Sequence, residues 1–169
     1  MNSIDVANYI VTKQIENGNL TNTISLQKII YLVNAKFMQE KDESVPLFDD
    51  QLQKWKYGPV SPEVYHEYKL FGAMDISMLP TSQFFYWEKE DFVRELTENK
   101  GISSELLDEW IDEFTDAERF DLVDLTHEHN CWKVDSDKIK NGEQNIPYDY
   151  NEIFQEMKSN PDLFFKGTN

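Results

Sequence analysis

The sequence predicts a mainly α-helical domain of the α+β class, compact, with a short β ribbon near residues 47–57. Three observations predict it. Apolar residues recur at i, i+3, i+4 and i+7 in several windows. Serine or threonine precedes those windows and glycine follows several of them, the usual start and stop signals of helices. Only one short stretch has the look of a strand, and it is bounded by turn residues. With 169 residues, the chain has the length of one ordinary domain. Residues 1–160 are read as that domain and 161–169 as a tail that frays after Pro161.

The first helix is expected from Ser3, as N-cap, to the stop at Asn17 and Gly18, with Val6, Tyr9, Ile10 and Lys13 on one face. Thr23 or Ser25 can cap the second, in which Leu26, Ile29, Ile30, Val33 and Phe37 form the inward stripe. Lys28, Asn34, Gln39 and Lys41 fall on its other faces, and it should end within Glu40–Ser44. From Phe48 to Trp55 only Leu52 interrupts a polar run, which reads as a short, partly exposed ribbon. Gly58 and Pro59 punctuate the chain, since glycine accepts backbone angles that other residues resist. Ser61, Pro62 and Glu63 then open a helix as N-cap, first-turn proline and dipole-favoured acid. It carries Val64, Tyr65, Tyr68, Leu70 and Phe71 and stops at Gly72.

Residues 73–90 read as a long connection whose Met78, Leu79, Phe84, Phe85, Tyr86 and Trp87 should pack on the domain. A helix over about 88–98 uses Phe92, Val93 and Leu96. The next, capped by Ser103 or Ser104, turns Leu106, Leu107, Trp110, Ile111 and Phe114 inward. Thr115 and Glu118 have the spacing of a capping box, placing a further helix start there, with Ala117, Phe120 and Val123 inward. The last helix uses Tyr150, Ile153, Phe154 and Met157.

Apolar residues at 40% and aromatics at 14% exclude a disordered chain, which lacks the apolar area to offset its ordering entropy. No apolar run approaches the ~18 residues that cross a bilayer, no signal peptide is read at the N-terminus, and Cys131 is the single cysteine. A cytoplasmic location is expected. The net charge of −16 argues against binding phosphate backbones or anionic membranes and favours a basic partner. The charge is uneven: residues 73–169 hold 9 basic and 23 acidic residues, against 7 and 9 in residues 1–72.

The acidic run includes Glu105, Asp108, Glu109 and Asp112, with like charges four residues apart. It is either a surface for a basic partner, an imitation of a nucleic-acid backbone, or the solvated face of an acidic protein, the commonest fate of such runs. His127, His129 and Cys131 alternate, and on an extended segment they would face one metal ion. A second ligand cluster is missing, and His127 can equally serve a helix end. No metal and no cofactor is therefore expected. Cys131 beside a histidine would be the only nucleophile pair, and no phosphate-binding loop or nucleophile elbow occurs.

Three segments in order resemble the Panacea antitoxin family, known from bacteria and prophages. They are Ser25–Leu32, preceded by Ala7–Ile10; Trp55–Val60, followed by Pro62–Tyr65 and Tyr68; and Leu125–His127 with Trp132, then Ile146 and Pro147. The resemblance spans about residues 4–155. It implies a non-catalytic antitoxin that binds and neutralises a protein toxin encoded by the adjacent gene. It also implies a link to an ATP-dependent protease that receives the bound toxin, and no direct contact with nucleic acid or membrane. Candidate partner-binding residues on these segments are Lys28, Tyr31, Tyr57, Gly58, Pro59, Tyr65 and Tyr68. Aromatics around a rigid turn suit an interface anchor, adding area at small entropy cost. Trp55 is expected mostly in the core and Tyr57 more exposed, while Thr126, His127 and Trp132 are read as structural. Lys28 and Gln27 are expected to bond the carbonyls near Gly58 and Pro59, or a partner. The competing reading is an acidic, phage-type inhibitor that mimics nucleic acid.

Overall fold

One helix organises the molecule in the computed structural model, which describes residues 1–168. That helix, α2 (Thr23–Lys41), follows α1 (Ser3–Glu16) and is buried nearly all round over its first four turns. A helix can be enclosed in this way only when its polar groups find partners inside. Asn34, expected on an outer face, is fully buried, and its side-chain oxygen accepts from the Leu47 backbone N–H at 2.8 Å. Asn22, not Thr23 or Ser25, caps α2 by accepting from the Ser25 N–H. Asn2, not Ser3, caps α1 in a capping box with Asp5. Ser3 is instead buried against Asp50 and Ser61.

The ribbon is β1 (Gln53–Trp55) paired antiparallel with β2 (Gly58–Val60), Trp55 opposite Gly58. It is shorter and later than expected. Phe48 and Leu52, in the stretch read as a partly exposed ribbon, are fully buried, as is Leu47. The return chain explains this: Lys54 N–H donates to Ile146 O and Tyr148 N–H to Leu52 O, so residues 146–148 cover the ribbon's edge. Then come α3 (Pro62–Tyr68), capped by Ser61 as expected, and a 3₁₀ turn over Lys69–Phe71.

The connection after Gly72 contains α4 (Thr81–Phe84) and is pinned at Ile76, Gln83 and Trp87. Leu79 and Trp87 pack against the core as expected, whereas Met78, Phe84, Phe85 and Tyr86, expected to pack with them, are exposed, as is Met74. The chain then forms α5 (Lys89–Asn99), α6 (Ser104–Thr115) and α7 (Arg119–Glu128). Thr115 is the last residue of α6, so the expected capping box does not form. Glu118 begins α7 without a side-chain bond, and Phe120 points to solvent while Leu122 and Val123 turn inward.

Short α8 (Asn130–Lys133) and α9 (Ser136–Lys140) lead to α10 (Tyr150–Ser159) and α11 (Pro161–Lys166). The expected fraying tail is therefore corrected, apart from Asn169, which lies outside the described residues. Asn160 caps α11, and Phe164 and Phe165 are buried. Around α2 stand α1, α3, α6, α7, α10 and β2, so one core serves the described chain. Among the described residues no helix is long and apolar enough to cross a membrane.

Candidate partner-binding site

The three segments singled out in the sequence meet at Gly58. Gly58 has φ of 101°, in the region that favours glycine. A Cβ placed there would stand 2.6 Å from Thr126 Oγ1 and 3.1 Å from Lys28 Cε. The ribbon turn thus lies directly on α2 and α7, with no room for a side chain. Gly58→Val is expected to destabilise the fold by at least about 1–3 kcal/mol from backbone strain alone, with the collision at Thr126 added. Urea unfolding checks this, and an unchanged midpoint would mean that the contact relaxes freely.

Polar groups of α2 hold the turn. Lys28 Nζ donates to Pro59 O at 3.0 Å. Gln27 clamps Ser61, accepting from its N–H at 2.8 Å and donating to its carbonyl at 3.1 Å. From the other side, the Trp132 indole N–H donates to Trp55 O at 3.0 Å. His127 stacks on Trp132 with ring centres 3.8 Å apart. Thr126 is fully buried, its hydroxyl donating to Val123 O within α7.

Of the candidate partner residues, Tyr57 and Tyr65 are accessible, 49% and 43% exposed. Lys28, Tyr31, Gly58, Pro59 and Tyr68 are enclosed, though Lys28 and Tyr68 reach the lining of the cleft described below. Tyr68 donates to Asn8 Oδ1 at 2.7 Å, and Tyr31 meets His129 Nδ1 at 2.9 Å. Trp55, expected mostly in the core, is half-buried, its ring 5.0 Å from that of Tyr65 in an edge-on arrangement. Trp55, Tyr57 and Tyr65, with Leu26, Val60 and Val64 behind them, line an open, mostly apolar cleft of about 460 Å³. Val60 and Val64 were read only as fold residues. Their place in the cleft follows from the ribbon folding back onto α3, which spacing alone does not reveal.

The histidine–cysteine segment does not form the extended array that a metal would need. His127 ends α7 and faces Trp132, whereas His129 turns inward, stacks on Phe164 and bonds Tyr31 and the Phe164 carbonyl. Among the described residues no three His, Cys, Asp or Glu side chains converge as metal ligands. Burial pushes the Cys131 thiol up to about 12, so it is held protonated, the opposite of an activated nucleophile. Burial also lowers both histidines below the ordinary imidazole value.

The acidic run is only partly free. Asp108 accepts from Tyr9 OH at 2.7 Å and Asp112 pairs with Lys13 at 2.8 Å, both tying α6 to α1. Glu105 and Glu109 stand exposed.

Comparison with known proteins adds the family. Residues 26–133, more than half of the chain, match the family profile described as "Antitoxin SocA-like, Panacea domain". The chain belongs to this family. The Panacea match begins within α2 and ends with α8, narrower than the resemblance read over residues 4–155. It contains Lys28, the whole ribbon, α3, Thr126, His127 and Trp132, so the elements that meet at Gly58 are all Panacea elements. One curated protein, "Antitoxin SocA" of Caulobacter vibrioides (strain NA1000 / CB15N), is 31% identical over 67 residues, 40% of this chain. That alignment covers 35% of the relative's length, so the two are alike over about a third of that protein. No solved structure matches.

Proposed function

We propose that this chain is an antitoxin that neutralises a protein toxin by direct, non-catalytic contact, and that the toxin docks at the aromatic cleft. The observation that carries the reading is the pair Tyr57 and Tyr65, exposed at the mouth of an apolar cleft built, apart from Thr23 and Ile24, from the Panacea match. Exposed aromatics on a supported turn beside an apolar recess have the make-up of interface hot spots. The net charge of −16 selects a basic toxin and speeds its approach. The toxin is proposed to be encoded by the adjacent gene and met in the cytoplasm, and an ATP-dependent protease is a further proposed partner that receives the complex. Nucleic-acid mimicry is the weaker reading, because Asp108 and Asp112 already hold partners on α1.

The test co-expresses the neighbouring gene's product with this protein and measures growth and binding. The double variant Tyr57→Ala, Tyr65→Ala should keep its thermal midpoint, lose rescue, and weaken binding by roughly thirtyfold or more, as loss of a hot spot does. Rescue equal to that of the unaltered protein would refute cleft docking. If instead Glu105→Gln with Glu109→Gln accelerates dissociation and free RNA or DNA competes for the partner, mimicry replaces it. Rim charges should otherwise change only the association rate and its salt dependence.

A further inference from the structure

On the far side of the ribbon turn from the aromatic cleft, the acidic chain presents a basic recess. Lys56, Lys133 and Lys140 converge on one cavity of about 700 Å³ and bring no carboxylate into its lining. All three lysines are exposed, and none makes an ion pair among the described residues. This is unusual placement in a chain whose residues 73–169 hold 23 acidic and 9 basic residues. The acidic residue nearest in sequence, Asp135, is taken up by Lys54 at 2.7 Å and by Lys138 at 3.6 Å. The remaining walls are Tyr57, the indole of Trp132 and the His127 ring stacked on it, with Ser136 and Ile139 of α9. His127 Nε2 is enclosed and makes no hydrogen bond of good geometry to the described residues, while the Lys56 backbone lies near enough to act on the same ring. A buried polar nitrogen without a partner calls for one.

We infer that this recess is a binding site for a phosphate-bearing small molecule of nucleotide size. Three flexible lysines supply mobile positive charge for a multiply charged phosphate group. The Tyr57 ring is half exposed, and a base can stack on it where the flexible Lys56, now 5.6 Å from the ring centre, moves to the phosphate. The volume falls within the range of pockets that enclose nucleotide-sized ligands. The site is separate from the proposed toxin cleft but shares Tyr57 and Lys56 with it, so its occupancy bears on the same ribbon turn.

Isothermal titration of the full chain at low salt, without added metal ion, tests this with ATP, inorganic pyrophosphate and adenosine as probes. ATP and pyrophosphate are expected to bind one per chain, and adenosine is not. The variant Lys56→Gln, Lys133→Gln, Lys140→Gln should weaken both by at least about tenfold while its thermal midpoint holds. A control with the same charge change elsewhere, Lys100→Gln, Lys158→Gln, Lys166→Gln, should bind as the unaltered protein does. Tyr57→Ala should weaken ATP more than pyrophosphate, and equal loss of the two would overturn the stacking assignment. Absence of binding by both phosphates, undiminished binding by the recess variant, or equal loss in the control would overturn the site. A poly-glutamate peptide that binds more tightly than ATP would overturn it in favour of an acidic polypeptide.

Discussion

Lys28→Met makes the protein more stable at pH 6 and leaves it no more stable, or less so, near pH 10. Lys28 is fully enclosed beneath the ribbon turn, with one acceptor, Pro59 O, and no carboxylate in salt-bridge range among the described residues. Burial lowers its ammonium from the ordinary 10.5 to about 7. The unfolded chain therefore binds this proton across a range in which the folded protein releases it. Between those two values stability rises with pH, and below about 7 the full penalty is present. Taken at face value the shift corresponds to a penalty on the order of 5 kcal/mol. Methionine keeps the length and apolar bulk of the side chain and removes the charge. It also leaves the Pro59 carbonyl without its donor, a loss of about 1–3 kcal/mol that persists at every pH. The net gain should therefore be a few kcal/mol at pH 6 and vanish by pH 10. Urea unfolding of both proteins across this range measures it, and parallel pH profiles would refute it.

Phe164→Ala should destabilise the domain by about 3–5 kcal/mol, the usual effect of emptying a buried aromatic site. The side chain is 2% exposed and stacks on His129 with ring centres 3.8 Å apart. Its own carbonyl holds His129 Nε2 at 2.8 Å, which in turn orients Nδ1 toward Tyr31. Alanine keeps the carbonyl but leaves a hole beside the imidazole. A neighbouring exposed change on the same short helix, Leu163→Ala, should cost far less. Comparing the two unfolding midpoints separates packing at α11 from loss of helix propensity. Equal, small effects would mean that α11 adds nothing to the core.

These two residues also mark what was legible in the sequence. The long helices were readable because their apolar spacing repeats for several turns and their ends carry caps and glycines. The bond from Lys28 to the Pro59 carbonyl was also readable, from a polar residue on an apolar helix beside a motif turn, but the enclosure of Asn34 was not, because periodicity reports which face is apolar and carries no signal that the Leu47 backbone needs an acceptor. Helix α11 has six residues, too few for a period, so two adjacent phenylalanines after a proline read as a tail. Phe84, Phe85 and Tyr86 failed in the opposite sense: apolar composition predicted burial, whereas folded surfaces retain much apolar area. At the candidate site, the family motifs identified the ribbon turn and its support. Tyr57 was expected to be the more exposed, as it is, but the motifs did not separate Tyr65, at the cleft mouth, from the enclosed Tyr31 and Tyr68. Lys133 and Lys140 carried a readable signal, basic residues close together in an otherwise acidic half, and only the fold joins them to Lys56.

The position of α11 governs when the core can close during synthesis. Tyr31, on the central helix, and His129 have Phe164 as their cover, so the central helix waits for residues made well after it. Until the α11 stretch has left the ribosome, that wall of the core stays open to water, and the central helix cannot reach its final enclosure. The segments that build the ribbon turn emerge much earlier, but α2, on which they rest, settles only when this closing helix docks. A chain halted before Phe164 would thus carry every recognisable family motif and still lack the packing that holds them in place.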